Sequence, residues 1–299
     1  MTDSQTPTSY ELLEYESIVS TNDFFKQPLP EGLDFDLPIF VRANEQTGGR
    51  GRLGRSWHSP KGGLYLSLLW PYRLLAVSAV SLPLVAALAV RFALQPLSDQ
   101  QMVLKWPNDL LMEQDGELRK LAGILVELVE GKAVVGVGVN VYPEVAVNQA
   151  RTVGSAEVGS AEVASSNTTV VRYGPLTAAW LAGGNSTRSA DNAPSVDNSD
   201  SVHLGDLGLL EQARDALIHS LPDYLGRWQK VGNRFEPFGD EYRQHLARIG
   251  DHVEVRNAFG DVLAAGTMCG IDDLGQLIVQ DGYDSLRIPS GEVTLRSDT

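Results

Sequence analysis

The spacing of apolar and polar residues changes several times along the chain, and each change predicts a different element. Four short apolar runs have the length and composition of buried strands: 37–43, 64–70, 119–127 and 133–141. The last two runs flank a turn at Gly131 and predict an antiparallel hairpin. An alanine-rich apolar stretch from about 75 to 97 predicts a buried helix. The chain is therefore expected to fold as an α+β protein.

The C-terminal third begins with a long helical pattern and continues with short runs of alternating apolar and polar residues. Apolar residues recur at helical spacing from 206 to 230, and Pro222 is expected to bend or divide that helix. From about 249 onward, short alternating runs are separated by turn residues, which is typical of a small β-barrel. The prediction is a first domain over residues 10–246 and a second, barrel-like domain over residues 247–299.

Residues 143–206 do not fit either pattern. Residues 153–163 form a tandem five-residue repeat, and residues 184–202 consist mostly of Ser, Asn, Asp and Ala. Neither segment has the large apolar residues that a core requires, so both are expected to be flexible. Residues 175–181, between them, could form a short helix. We interpret the whole region as an expanded loop inserted in the first domain.

Composition narrows the possible functions. The 299 residues carry a formal net charge of −14, which opposes the broad basic surface that nucleic-acid binding requires. The longest uncharged apolar stretch, 74–90, is short for a membrane span and contains Pro83, so a core helix is favoured. The single cysteine, Cys269, indicates a reducing compartment such as the cytoplasm and is expected to be buried and structural. The five histidines lack metal-ligand spacing, so no metal held by the protein alone is predicted.

One loop, residues 46–63, is rich in both glycine and arginine. No Asp or Glu occurs between Gln46 and Ser98. The residues that stand out in the loop are Gly48, Gly49, Gly51, Gly54, Arg50, Arg52 and Arg55. Glycines let the backbone approach a ligand closely and arginines supply fixed positive charge, so the loop is expected to bind an anion such as a nucleotide. A solvated arginine-rich turn is the alternative interpretation.

Part of this loop matches the dinucleotide-binding fingerprint. Gly49, Gly51 and Gly54 have the spacing G-x-G-x-x-G, which marks such a site only between a strand and a helix. The residues that follow, 64–70, have a strand pattern, and the next acidic residue is Asp99. The sequence therefore argues against a Rossmann fold.

Residues at three other places have both a structural and a functional interpretation. They are Ser20, Thr21 and Asn22; Lys105, Asn108 and Asp109; and Gly136, Gly138 and Asn140. The first set is suited to cap a helix, yet spare hydroxyl groups at a helix start can also bind a polar ligand. The second set surrounds a Trp-Pro turn, whose geometry alone would explain Asn and Asp there. The third set shares one face of a strand, where glycines mark the close approach of a ligand or another backbone.

Taken in order, these segments resemble the motif set of the biotin protein ligases. The matching segments are Ser20-Thr-Asn22, Glu45 to Trp57, Lys105-Trp-Pro-Asn-Asp109, Arg119 to Glu127 and Gly136-Val-Gly-Val-Asn140. The likeness runs over residues 17–141 and resumes over 207–295; Gly48 stands where many relatives have alanine. It implies a catalytic domain of the biotin/lipoate ligase type, related to class II synthetases, with a mixed or antiparallel sheet covered by helices. A small SH3-like β-barrel would follow.

The resemblance implies a two-step reaction. Biotin protein ligases join the carboxylate of biotin to the α-phosphate of ATP, with Mg²⁺ bound to the nucleotide, and then pass the biotinyl group to a lysine of a carrier protein. Arg50, Arg52 and Arg55 would contact carboxylate and phosphates, and Lys120 would bridge the two groups. Asp109 would orient or deprotonate the incoming lysine.

The same resemblance implies roles for the remaining residues of the predicted site. Ser20, Thr21 and Gln46 would hold the ring of biotin, and Trp57 and Asn140 would lie at adenine. Three glycines would form an apolar floor: Gly123, Gly136 and Gly138. The predicted ligand-binding set is completed by Asn22, Gly49, Gly51 and Asn108, and Lys105 belongs to the catalytic cluster.

The implied partner is the biotin carboxyl carrier domain of acetyl-CoA carboxylase, a related acyl-CoA carboxylase or pyruvate carboxylase. Only about 16 residues precede the first motif segment, so no N-terminal DNA-binding domain is expected, and neither nucleic acid nor membrane is an expected partner. A homodimer is compatible with the family. Two alternatives are a ligase for a related acid such as lipoate, and a module that binds biotin or its adenylate without catalysis. Retention of Lys120 and the loop arginines favours the biotin ligase.

Overall fold

The first half of the chain forms a seven-stranded sheet. Its strands are β1 (Glu11–Ile18), β2 (Ile39–Gln46), β3 (Leu64–Arg73), β4 (Met102–Lys105), β5 (Asp109–Gln114), β6 (Glu117–Val129) and β7 (Lys132–Val139). They lie in the order β1-β2-β3-β7-β6-β5-β4, with β1 parallel to β2 and every other neighbouring pair antiparallel. The predicted mixed sheet and the hairpin of β6 and β7 are confirmed.

This computed structural model describes residues 9–74, 78–114, 116–142 and 204–295. The predicted insertion, with its short helix, therefore lies outside the described residues except for residues 204–206.

Within the described residues, four α-helices accompany the sheet: α1 (Thr21–Phe24), α2 (Leu82–Leu94), α3 (Leu204–Lys230) and α4 (Gly239–Gln244). The stretch 79–97 is long and apolar enough to span a membrane, but most residues of α2 are buried inside the protein, as predicted for a core helix. Helix α2 packs against α3. Because α3 continues through Pro222 as one helix, the predicted division at that proline does not occur.

The two faces of the sheet carry different residues because side chains alternate along each strand. On β7, Val135, Val137 and Val139 belong to the core that the sheet shares with α2 and α3. Gly136 and Gly138 lie on the opposite face, which has a smaller apolar cluster of its own next to α1. The absence of side chains at these glycines leaves room above the sheet, for the Asn22 side chain over Gly136 and for Trp57, from the loop between β2 and β3, over Gly138.

The C-terminal part forms a second sheet of five antiparallel strands. They are β8 (His252–Arg256), β9 (Val262–Ile271), β10 (Leu277–Asp281), β11 (Asp284–Ile288) and β12 (Glu292–Leu295), in the order β11-β10-β9-β8-β12. The predicted β-rich C-terminal fold is confirmed. Within the described ranges no pairing joins β11 to β12, so hydrogen bonds do not close the sheet into a full barrel.

One expectation for this sheet is wrong, because Cys269 is exposed rather than buried. Side chains on β9 alternate between the core and solvent, and Ala264 and Met268 face the core. Cys269 follows Met268 and therefore points outward, where its thiol lies 3.5 Å from the carbonyl oxygen of Thr267.

The two sheets are joined by direct contacts. The buried indole of Trp106 donates a hydrogen bond from Nε1 to the carbonyl of Gly275 at 2.9 Å. Gly275 has a φ of +79°, and a Cβ there would overlap Leu84, so this turn requires glycine. Val255 and Met268 of the second sheet belong to the same apolar core as α2. This packing brings the start of β12 to the open face of the first sheet.

Candidate active site

A cleft of about 90 Å³ lies on the sheet face that carries Gly136 and Gly138. It is bounded by the loop between β2 and β3, the start of α1, the turn between β4 and β5, and the first residue of β12. Every residue that the sequence assigned to ligand binding or catalysis lines this cleft, except Gly49 and Asn140. The charged residues of the lining are Arg50, Arg52, Arg55, Lys105, Lys120, Asp109 and Glu292. The cleft is therefore cationic within an acidic protein, which suits an anionic ligand.

The loop between β2 and β3 is held by its own backbone. The Trp57 N–H donates to the Gly49 carbonyl at 2.9 Å, and the Gly51 N–H donates to the Arg55 carbonyl at 2.7 Å. A Cβ on Gly49 would overlap the Ser59 hydroxyl and the Trp57 carbonyl, so only glycine lets the two arms of the loop approach. Gly49 does not line the cleft, and its function is to shape the loop that does.

Arg50 lies at the α1 end of the cleft. Its Nη2 atom is 2.6 Å from Asp23 Oδ1 and 2.7 Å from Glu127 Oε2. Its Nε atom is buried and has no hydrogen-bond partner among the described residues, and the same is true of Trp57 Nε1. Buried donors are nearly always paired in folded proteins, so the unpaired N–H of Arg50, which lines the cleft, marks a place where a ligand's acceptor atom would bind. The Nε1 atom of Trp57 lies against Gly138 of the sheet instead.

The other two loop arginines lie further along the cleft. Arg52 donates to Asn108 Oδ1 at 3.0 Å, and burial lowers the pKa of its guanidinium group. Arg55 pairs with Glu292 of the second sheet through both guanidinium Nη atoms, and these hydrogen bonds lower the pKa of Glu292. Oxygen acceptors of the protein therefore orient both guanidinium groups, and an anionic ligand would share or replace those acceptors.

The indole ring of Trp57 covers the glycines of the sheet. A Cβ on Gly123 would lie 2.8 Å from the ring, and a Cβ on Gly138 would lie 2.7 Å from it. Only glycine at these positions lets the ring lie against β6 and β7. The Nζ atom of Lys120 is 5.0 Å from the ring centroid, within the range of a cation–π contact.

A β-bulge aims Lys120 at the cleft. The pairing of β5 with β6 shifts register so that Leu110 faces Ala122 and Leu111 faces Lys120, which leaves Leu121 as the extra residue. Residues 120 and 123 would point to opposite faces of a regular strand, since they are three positions apart. With the bulge, both line the cleft, and Lys120 Cε would lie 3.2 Å from a Cβ on residue 123.

Lys120 belongs to a compact charged cluster. Its Nζ atom is 2.7 Å from Asp109 Oδ1, and Asp109 pairs with Lys105 in the ladder of β4 and β5. Burial lowers the pKa of Lys105, and the charge of Asp109 partly opposes this effect. Two cations close to one carboxylate can bind a polyanion and can also position an incoming amine.

The α1 end of the cleft is lined by neutral polar groups. Ser20 caps α1 as predicted, because its hydroxyl accepts a backbone hydrogen bond from the first turn. The N–H and the hydroxyl of Thr21 both donate to Gln46 Oε1, at 2.8 and 3.1 Å. The Ser67 hydroxyl lies 2.7 Å from Thr21 Oγ1 and 2.6 Å from Asn22 Oδ1. This end can therefore exchange internal hydrogen bonds for bonds to a neutral polar ligand.

Gly136 was expected to form part of an apolar floor; it lines the cleft, and the Asn22 side chain fills the space that a Cβ there would take. Asn140 was expected near a ligand, yet it lies outside the cleft, and its Nδ2 donates to the Lys120 carbonyl at 3.1 Å. Asn140 therefore holds the strand backbone that carries Lys120.

Sequence reasoning missed Ser67 and Glu292. Ser67 interrupts the apolar run of β3, and that interruption was the available signal. Glu292 has no local signal, because it reaches the cleft only through the packing of the second sheet against the first.

Comparison with known proteins finds relatives over nearly the whole chain. Residues 16–143 match the family described as the biotin/lipoate A/B protein ligase family. The bifunctional ligase/repressor BirA of Escherichia coli strain K12 is 31% identical over 287 residues, which cover 94% of this chain and 72% of that protein. A biotin acetyl-CoA-carboxylase ligase of Paracoccus denitrificans is 28% identical over 85% of this chain and 89% of its own length.

A solved structure with a similar fold is also named as a biotin ligase. The biotin protein ligase from Aquifex aeolicus in complex with biotin and ATP has a TM-score of 0.62 and 23% identity, with 96% of this chain and 98% of that chain covered. At this identity the likeness establishes the fold alone. The family match, the identity to the E. coli protein and the ordered motifs that meet in one cleft agree with one another: this chain belongs to the biotin/lipoate A/B protein ligase family.

Proposed function

We propose that the protein is a biotin protein ligase, which activates biotin as biotinyl-5′-AMP at the expense of ATP and transfers the biotinyl group to a lysine of a carrier domain. One observation carries this proposal: Lys120 lies in one cleft with all three loop arginines, between the Trp57 ring and Asp109. The names of the E. coli, Paracoccus and Aquifex proteins support the same activity.

The first step requires two anions to meet. An oxygen of the biotin carboxylate attacks the α-phosphorus of ATP, the bond to the β-phosphate oxygen breaks, and pyrophosphate leaves. Like charges repel, so the site must supply fixed positive charge, and Mg²⁺ enters bound to the triphosphate as part of the substrate. Arg52, Arg55, Lys105 and Lys120 supply that charge from residues already oriented by the protein.

The cleft offers different chemistry at its two ends. Thr21 and Gln46 form a neutral hydrogen-bonding surface near α1, which suits the ring of biotin, and the buried Ser67 hydroxyl contacts Thr21 from behind. Trp57 and the glycines beneath it form a flat apolar surface, which suits adenine. Lys120 lies at this surface, where it can contact both the carboxylate and the α-phosphate.

The second step requires a neutral amine, because a protonated lysine has no electron pair with which to attack the acyl carbon. The new amide bond forms as the acyl–phosphate bond breaks, and AMP leaves. Asp109 is the carboxylate of the cluster and would orient the acceptor lysine or accept its proton. Its present contact with Lys120, at 2.7 Å, would weaken as the acceptor enters.

The proposed acceptor is the biotin carboxyl carrier domain of acetyl-CoA carboxylase or a related acyl-CoA carboxylase, and pyruvate carboxylase is a further candidate. We also propose a cytoplasmic location and a homodimeric assembly, on the basis of the single cysteine and of the family resemblance respectively.

Intact-mass measurement of a purified carrier domain tests the proposal. The carrier is incubated with this protein, Mg-ATP and either biotin or lipoate. One biotinyl addition, absent when the acceptor lysine is replaced by arginine, is expected. Addition of lipoyl instead would assign the alternative acid, and no addition with either acid by a correctly folded protein would refute the ligase assignment.

A further inference from the structure

Four charged side chains form a closed ring beside the cleft. Arg50 contacts Asp23 at 2.6 Å and Glu127 at 2.7 Å, and Lys26 contacts the same two carboxylates, each at 2.9 Å. Cations and anions alternate around the ring, so it carries no net charge. The ring joins three parts of the fold: α1 with the residues just after it, the loop between β2 and β3, and strand β6.

Glu127 is the centre of this arrangement. Its Oε2 atom also accepts a hydrogen bond from Asn22 Nδ2 at 2.9 Å, so one carboxylate receives donors from Asn22, Lys26 and Arg50. These donors lower the pKa of Glu127 although burial acts in the opposite direction. Asn22 can reach this point only because residue 136 is glycine.

Stability does not explain the ring well. The exposed fractions of the four side chains range from 22% for Glu127 to 38% for Lys26. Ion pairs with that much exposure contribute little to folding. What the four mutual contacts do provide is a fixed position for each of the four side chains.

Arg50 lines the cleft, and the ring occupies only one of its nitrogen atoms. Both of its carboxylate contacts use Nη2, whereas Nε is buried and has no hydrogen-bond partner in the described part of the chain. Because Asp23 and Glu127 already balance the charges of Arg50 and Lys26, this end suits a single carboxylate. The unbalanced cations Arg52 and Lys105 at the other end suit a polyphosphate better.

We propose that Glu127 and Asp23 are positioning residues, which fix Arg50 so that its unpaired Nε–H group binds the carboxylate of biotin and not the triphosphate. This inference rests on the proposed function and adds to it the two carboxylates that hold Arg50 in place. Lys26 completes the ring without touching Arg50, so it supplies a matched control.

The test compares two ligands that differ only in the group Arg50 would bind: biotin, and biotinol, in which CH₂OH replaces the carboxyl group. Dissociation constants for both are measured by calorimetry with the wild type, Glu127→Gln, Asp23→Asn and Lys26→Met, together with KM for biotin and for ATP. A hydrogen bond to a charged group corresponds to roughly a tenfold to hundredfold change in an equilibrium constant.

Glu127→Gln and Asp23→Asn are expected to weaken biotin binding by about tenfold or more, with little change in biotinol binding or in KM for ATP. Lys26→Met is expected to change neither ligand appreciably. Equal losses for biotin and biotinol, or a Lys26→Met effect as large as that of Glu127→Gln, would assign the ring a structural role and overturn the inference.

Folding and function are controlled separately. Thermal unfolding of each variant shows whether the fold is retained, and Asp23→Asn, on a short surface helix, gives a second variant if Glu127→Gln does not fold. Unchanged biotin binding in folded Glu127→Gln and Asp23→Asn contradicts only the positioning role. A wild-type protein that binds neither ligand contradicts the proposed function, and it contradicts the inference as well, because the inference requires biotin binding.

Discussion

Replacing Gly138 with alanine tests the packing of the Trp57 ring directly. A Cβ on residue 138 would lie 2.7 Å from ring atoms Cε2 and Nε1, whereas ordinary contact begins at 3.4 Å, so the ring must move by about 0.7 Å. The same ring also covers Gly123 of β6, so both strands beneath it are already in close contact with it. The ring must therefore lift away from the sheet, and such overpacking costs about 1–3 kcal/mol.

Urea denaturation of four proteins measures this effect: wild type, Gly138→Ala, Trp57→Ala and the double variant. Gly138→Ala is expected to lower the free energy of unfolding by about 1–3 kcal/mol in the wild-type background. It should cost less than about 0.5 kcal/mol once the indole is absent. Biotin-dependent pyrophosphate release should fall by about 10²-fold, because the ring would be displaced from its place in the site.

Gly226 in α3 supplies the control, since a Cβ there meets nothing within 4 Å. Gly226→Ala should stabilise the protein by roughly 0.5–1 kcal/mol, because alanine is the better helix former. An equal cost of Gly138→Ala with and without the indole would show that Trp57 does not lie over β7, and the reasoning about the glycine floor would be refuted.

Three further predictions concern charged residues of the cleft. Lys120→Ala should slow pyrophosphate release by about 10²- to 10³-fold, while urea denaturation shows a change of less than about 1 kcal/mol because its ion pair with Asp109 is partly exposed. Lys105→Met should stabilise the fold at pH 7. Burial lowers the pKa of Lys105, which means that its charged form destabilises the folded wild type. The gain in the free energy of unfolding should therefore shrink as pH rises towards 10.5. Glu292→Gln should destabilise the folded protein at neutral pH, because Arg55 stabilises the ionised carboxylate and so lowers the pKa of Glu292. The wild type loses this stabilisation as the carboxylate is protonated, so melting curves of variant and wild type should converge as pH falls below 4.5.

Local features of the sequence predicted the elements and most of the cleft. The apolar runs that form β2, β3, β6 and β7 are separated by turn residues, so the apolar pattern and the turn residues predict the same strands. Alternation along β7 correctly placed Gly136 and Gly138 on one face. The Gly-Arg loop could be predicted to belong to the site because glycines and arginines are interleaved in it, and it does line the cleft.

The remaining features depend on contacts between distant segments. The bulge at Leu121 directs Lys120 into the cleft, and no turn residue or proline near Leu121 predicts the bulge. Glu292 lies 237 positions from Arg55 in the chain, so nothing near either residue signals their pairing. Cys269 was misjudged because β9 alternates between core and solvent, and the residue type alone does not tell which side a position takes.

The measurement that tests the central claim most directly is the first half-reaction without any carrier protein. The protein is incubated with Mg²⁺ and ATP labelled at the α-phosphate, with biotin, with lipoate or with no acid, and the products are separated. We expect biotin-dependent formation of a labelled acyl adenylate together with pyrophosphate, and its near absence in Lys120→Ala. If the folded protein forms no adenylate in the presence of biotin, the cleft does not bring the carboxylate and the α-phosphate together, and the account given for Lys120 and the loop arginines is wrong.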